Sequence, residues 1–213
     1  MIKFFHRGFL IAAMFFVGIT YTGAYFSDSV SSSGNTFTAG TWAVSPAKVT
    51  ISEVFYNATG VNDTGFEWIE IANTGGQAIN MTGYDLYPDG AGYYYTFPAF
   101  SLNPNAIVLI HLNTDGVDSA TDLYTGSGHS NMNNANGSIA IFNSTTHNSS
   151  TIIDYVRFGT GTTWQTTAVS AGIWISGSTV APVGVGHSME LIGKVDNNLV
   201  TDWQDQAVPT PGA

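Results

Sequence analysis

Between Val49 and Phe158, apolar residues recur at every second position in short runs separated by Gly, Asn and Asp. Val49-Thr-Ile-Ser-Glu-Val-Phe55 alternates in this way, which predicts a strand with Val49, Ile51, Glu53 and Phe55 on one face. Trp68-Ile-Glu-Ile71 predicts another, with Ile69 and Ile71 on one face and Trp68 and Glu70 on the other. Further strands are predicted at 79–81, 84–86, 93–97, 107–112, 139–142 and 152–158. Asn73-Thr-Gly-Gly76 and Pro88-Asp-Gly90 carry turn chemistry. After residue 24, no window of eleven or more residues places apolar side chains on one helical stripe. Short strands between turn signals predict an all-β sandwich or barrel.

The N-terminus has a different pattern. Lys3 and Arg7 form a short basic start, and Gly8 to Phe26 carries no charge. Thr22-Gly23-Ala24 supplies the small residues that signal peptidase needs, so residues 1–24 read as a signal peptide with cleavage after Ala24. The alternative is an uncleaved anchor helix, since the uncharged stretch approaches the length needed to span a bilayer. Both readings place the rest of the chain outside the cytoplasm. Residues 25–47 then form an extended segment or linker, and residues 48–213 form the β-domain.

Composition narrows the function classes. Charged residues make up 9% of the 213, with 44% hydrophobic and 24 Gly, and Cys is absent. Disulfides, thiolate metal sites and Cys nucleophiles are excluded. Net charge is −10, and beyond the N-terminus the only cations are Lys48, Arg157 and Lys194. Three scattered cations cannot neutralise a phosphate backbone, so no nucleic-acid partner is expected.

Two resemblances rest on particular residues. Ala24-Tyr-Phe-Ser-Asp28 and Gly34-Asn-Thr-Phe-Thr-Ala-Gly-Thr41 resemble the exported N-terminus of the TasA/camelysin family of biofilm-matrix and surface proteins. Ile51-Ser-Glu-Val54 and Glu67-Trp-Ile-Glu-Ile-Ala-Asn73 resemble the opening of a lamin-tail domain. Met81-Thr-Gly-Tyr-Asp-Leu86, Tyr95-Thr-Phe-Pro98, Leu102-Asn-Pro104 and Ile153-Asp-Tyr-Val156 follow in the family's order, with Asn105 where Gly is usual. His187-Ser-Met-Glu-Leu191, Asp202-Trp203 and Thr210-Pro-Gly-Ala213 fit its closing pattern, with Met189 for Leu and Leu191 where Arg is usual. The resemblance implies an immunoglobulin-like β-sandwich and a recognition role. Two stretches exceed a minimal domain: the polar insertion 113–137 and the Gly/Thr/Ser-rich excursion 159–186, which holds Trp164 and Trp174.

Candidate chemistry is sparse. Glu53, Glu67 and Glu70 are candidate catalytic carboxylates for a hydrolase. Their alternative role is structural, bonding loop N–H groups. Asp115, Asp118 and Asp122 are candidate calcium ligands, although their spacing is not that of an EF-hand loop. His111, His129, His147 and His187 lack zinc-site spacing, and no nucleophile elbow is present. No catalytic set and no cofactor are nominated. Tyr93 and Tyr95 share one face, with Tyr94 opposite, and an aromatic face of this kind can stack on sugar rings. Six N-glycosylation sequons lie at Asn57, Asn62, Asn80, Asn136, Asn143 and Asn148.

The expectation is a non-enzymatic, secreted or cell-surface module for adhesion, matrix or envelope interaction. Its partner would be a surface or matrix polymer, a glycan or a protein, and it would touch a membrane only through an uncleaved N-terminal segment. The alternatives are a fibre subunit that self-associates through Tyr25 to Val44, and a carboxylate-dependent hydrolase.

Overall fold

The structure, a computed structural model, describes residues 44–59 and 62–213. The predicted signal or anchor helix and nearly all of the 25–47 segment lie outside the described residues. Twelve strands, one short α-helix and two single-turn 3-10 helices form among those described. A six-stranded sheet contains β1 (Val49–Phe55), β2 (Trp68–Asn73), β7 (Ile107–His111), β8 (Asp122–Tyr124), β11 (Ser188–Leu191) and β12 (Trp203–Gln206), in the spatial order β12-β11-β1-β2-β7-β8. A four-stranded sheet contains β4 (Asp85–Pro88), β5 (Tyr95–Thr96), β9 (Gly137–Phe142) and β10 (Ile152–Phe158), in the order β10-β9-β4-β5. β3 (Ile79–Asn80) and β6 (Ser101–Leu102) make a small ribbon. This is the all-β architecture of an immunoglobulin-like sandwich.

The inner faces follow from the pairing register. Ile51 and Val54 lie opposite Ile71 and Ile69, which in turn lie opposite Val108 and Ile110. From the other sheet, Leu86 lies opposite Ile141, and Val156 opposite Ile139. All ten side chains are fully buried in one cluster. At roughly 25 cal/mol per Å² of apolar surface, these two inner faces supply most of the folding drive.

The first strand departs from simple alternation. A bulge between Ile51 and Glu53 shifts the register, so Val54 takes the core position and Glu53 pairs with Glu70 on the outer face. Glu53 and Phe55 therefore do not share a face with Val49 and Ile51. An extra residue inverts every side chain after it. Trp68 does lie with Glu70, opposite Ile69 and Ile71, and it is buried against Phe55 at a ring-centroid distance of 5.5 Å.

The two predicted excursions both carry structure. β8 lies inside the polar insertion and pairs with β7 in parallel, with Leu123 as its buried residue. The 159–186 segment folds over the outer face of β9 and β10 and contains α1 (Gln165–Ser170). Tyr155 meets Trp174 edge to face at 5.6 Å, and the Arg157 guanidinium donates to the Gln165 side chain at 2.7 Å. The outer face of the four-stranded sheet is thus capped over β9–β10.

Candidate functional site

The carboxylates nominated for chemistry are buried in structural hydrogen bonds. Glu53 accepts from the Ser188 hydroxyl, from the Thr210 amide at 3.0 Å and from the Thr210 hydroxyl at 3.1 Å. Glu70 accepts from the Ser52 hydroxyl at 2.6 Å and from the Gly212 amide at 2.8 Å. Burial pushes the Glu70 carboxyl up, against the pull of those bonds and of Lys194. Together the two glutamates tie residues 210–212 onto the outer face of the six-stranded sheet. Gly212 has φ 79°, a conformation that disfavours side chains.

Two further family-pattern residues work in the same way. The Asn73 amide donates to the carbonyls of Gln77, Leu102 and Asn103, while its oxygen accepts from Lys48 and Gly75 amides. Asp154 reaches across the sandwich to the Ile51 amide at 2.5 Å and also accepts from the Tyr155 amide. It meets β1 where that strand has not yet paired with β11, whose register begins at Glu53. Complete burial raises the Asp154 carboxyl. Asn105, where the family has Gly, adopts φ 58°, which Asn tolerates better than most residues.

Glu67 differs from the other glutamates. It is 1% exposed and accepts one bond, from the Met132 amide at 2.8 Å, while its other oxygen is buried without a partner. Burial raises its carboxyl to about 8, with the Asp63 charge adding to the rise. It tethers the 113–137 insertion to β2. A groove of about 640 Å³ runs between β6, β7 and the 210–212 segment, but none of Glu53, Glu67 or Glu70 lines it. The three glutamates therefore offer no pair of carboxylates open to a substrate.

The three candidate calcium ligands do not converge. Asp115 accepts from the Ser127 amide and hydroxyl, and these bonds lower its carboxyl. Asp118 accepts from the Tyr124 amide at 3.0 Å. Asp122 sits 2.9 Å from His111 Nε2, a bond that heads the causes lowering its carboxyl. Among the described residues, no three His, Asp or Glu side chains form a metal-binding group. The other histidines are similarly placed by partners. His187 pairs with Asp205 at 2.6 Å, and His129 stacks on Tyr93 at 3.8 Å.

Aromatic side chains gather instead on the part of the four-stranded sheet that the excursion leaves uncapped. Tyr94 is 36% exposed and stacks on His147 at 4.0 Å with 9° between the rings. Tyr87 tilts against Tyr94 at 4.9 Å. Trp164 presents an edge to both tyrosines at 6.4 Å and covers buried Phe142 at 5.1 Å. The alternation places Tyr93 and Tyr95 on one face and Tyr94 on the other; Tyr94 is the exposed ring, and Tyr93 and Tyr95 are half-buried.

Buried polar groups fix this ledge. Asp85 binds His147 Nε2 at 2.7 Å and accepts from the Thr96 hydroxyl at 2.6 Å, which holds the imidazole flat against Tyr94. Ser138 and Tyr155 hydroxyls both donate to the Thr163 carbonyl, at 2.8 and 3.0 Å. Thr163 immediately precedes Trp164, whose φ is 62°. A bulky residue in that region is strained by about 1–3 kcal/mol and persists only where its surroundings over-determine it. Asp89, beside Tyr87, has two long contacts of 3.4 Å, from the Tyr87 and Ser138 hydroxyls.

The sequons also separate. Asn57 is buried and donates to the Val183 carbonyl, so its amide is closed to modification, and Asn136 is half-buried. Asn62, Asn80, Asn143 and Asn148 are exposed.

Two packed β-sheets with polar residues that hold loops, and no converged catalytic group among the described residues, define an immunoglobulin-like module. The family model of the Lamin Tail Domain matches residues 43–160. The chain belongs to the lamin tail domain family, whose immunoglobulin-like fold is non-enzymatic. No curated protein matches the chain. The family match ends at residue 160, yet Glu53 and Glu70 inside it hold Thr210 and Gly212. The closing Thr-Pro-Gly-Ala element therefore belongs to the same structural unit.

Proposed function

We propose that this chain is an exported, non-enzymatic recognition module that attaches to a surface or matrix polymer. The observation that carries the reading is how its polar residues are used. The nominated carboxylates are turned inward as backbone anchors, whereas a preorganised aromatic surface is left facing solvent. Export rests on the N-terminal pattern of basic, apolar and small residues. The test is co-sedimentation of the full chain, purified from an exporting host, with insoluble cell-wall and matrix fractions, alongside a panel of glycosidase and esterase assays. Saturable adsorption without turnover is expected. Turnover at a rate that survives repurification, or no adsorption to any fraction, would overturn the reading.

The second reading is a fibre subunit. Its support is the Gly34-Asn-Thr-Phe-Thr-Ala-Gly-Thr41 stretch, whose Thr and Phe favour an added strand. Ordered fibres from the chain carrying residues 25–44, and monomers from the chain lacking them, would favour it.

A further inference from the structure

We infer that the Tyr94 ledge is a binding site for a neutral, pyranose-containing polysaccharide. This deepens the recognition-module reading and rests on it. The axial C–H bonds of a pyranose face carry partial positive charge and pack flat on the electron-rich face of an aromatic ring. Such packing needs an exposed ring held still, because an ordered platform loses little entropy on binding. Tyr94 meets both conditions. The residue is 36% exposed, and its ring rests on an imidazole locked by buried Asp85. Trp164 extends the aromatic surface from a strained position that two converging hydroxyls secure.

Polar chemistry beside the ring sets the ligand class. Sugar hydroxyls need acceptors, and Asp89 has capacity to spare, because both of its side-chain contacts are long. Carboxylate acceptors form charge-assisted bonds that are shorter and stronger than neutral ones. Asp85 and Asp89 lie at the ledge, and the chain carries a net charge of −10. An acidic polymer would be repelled, so among polysaccharides the neutral ones fit. A caged quaternary ammonium does not fit, because the rings pack against one another at 4.0 and 4.9 Å instead of enclosing a gap.

The test is titration of the full chain with cellohexaose, chitohexaose, xylohexaose and mannohexaose, followed by calorimetry and by intrinsic tryptophan fluorescence. At least one of these is expected to bind and to perturb tryptophan emission, a change that Trp164→Phe should remove. Tyr94→Ala is expected to weaken that binding at least about tenfold, which corresponds to ~1.4 kcal/mol. Asp89→Asn keeps the shape and should weaken it several-fold. Phe66→Ala removes an exposed aromatic ring outside the ledge and should bind as wild type. The far-ultraviolet spectrum of each variant controls for folding. Binding of none of the four at millimolar concentration, or equal binding by Tyr94→Ala, would overturn the site. Adsorption to wall or matrix fractions that survives Tyr94→Ala would leave the module reading intact and reject the ledge alone.

Discussion

The outer faces of the two sheets use the same residue types to opposite ends. On the six-stranded sheet, Glu53 and Glu70 are covered by residues 210–212, and every contact they make is with the protein itself. On the four-stranded sheet, Asp85 is equally buried but spends its bonds on fixing His147 and Thr96, which border an exposed ring. The first arrangement closes a surface and the second preorganises one. A buried carboxylate is therefore informative only through what it holds: a loop amide marks architecture, while a solvent-facing aromatic ring marks a place where something can be bound.

The largest effect should come from the closed face. Trp68 is buried on the same side as Glu70 and packs on Phe55. Trp68→Ala should cost about 3–5 kcal/mol in denaturant unfolding, the usual range for deleting a buried aromatic. A near-neutral result would mean that this face is not a packed layer, and the contrast between the faces would fail.

Next comes the pH dependence that Glu67 imposes. Its carboxyl is raised from 4.5 to about 8, chiefly by burial. Below the unfolded value both states are protonated and there is no penalty. As pH rises between these values the unfolded chain ionises while the native chain keeps its proton, so stability falls. At ~1.4 kcal/mol per unit, the loss across the window is on the order of 3–5 kcal/mol. Glu67→Gln retains an acceptor for the Met132 amide and should remove that part of the slope. Asp154 and Glu70 are also raised by burial, so the diagnostic quantity is the difference between wild type and Glu67→Gln across pH 5–8. Parallel profiles for the two proteins would show that Glu67 ionises freely in the native state.

The anchors themselves should matter less globally and more locally. Glu70→Ala removes the acceptors for Ser52 and Gly212. Losing such bonds costs about 1–3 kcal/mol. Hydrogen exchange should report faster exchange at the Gly212 amide with β2 and β7 protected. Uniform destabilisation across all strands would mean that the 210–212 segment is integral to the core instead of fastened onto it.

Much of this architecture was readable in the chain, and the failures have physical causes. β2, β7 and β9 alternate because one of their faces meets the opposite sheet, and β10 alternates only from Asp154 onward, after a bulge that follows Ile152. β1 keeps its extent but not its faces, because one bulged residue inverts everything after Ile51. β8 was hidden because three residues with one buried apolar side chain, paired in parallel at an edge, leave no period to detect. The sequence is compatible with a structural role for Glu53 and Glu70, but their partners at 210–212 lie some 140 residues or more away. The ledge left almost no local signal. Tyr94, His147 and Trp164 come from three separate loops, and what joins them is the β4–β9 pairing and the Thr163 turn. The acidic run from Asp115 to Asp122 reads in sequence either as calcium candidates or as a solvated turn, because its residues are neighbours there. In the fold each turns to its own donor.

The smallest expected effect is the stability cost of removing the exposed ring. Tyr94 is more than one-third open to solvent, and its neighbours keep their own supports when it is gone. His147 remains tied to Asp85, and Trp164 still covers Phe142 beneath a turn held by Ser138 and Tyr155. What Tyr94→Ala loses is one stacked pair, one tilted pair and partial burial, about 1 kcal/mol in all. The denaturant midpoint should move slightly, with the slope of the transition unchanged, since the same surface is exposed on unfolding. Set beside the ~3–5 kcal/mol expected for Trp68→Ala, that would separate a ring that holds the fold together from one that the fold holds out. If Tyr94→Ala cost as much as Trp68→Ala, the ring would be part of the packing, and the two outer faces would differ in composition but not in purpose.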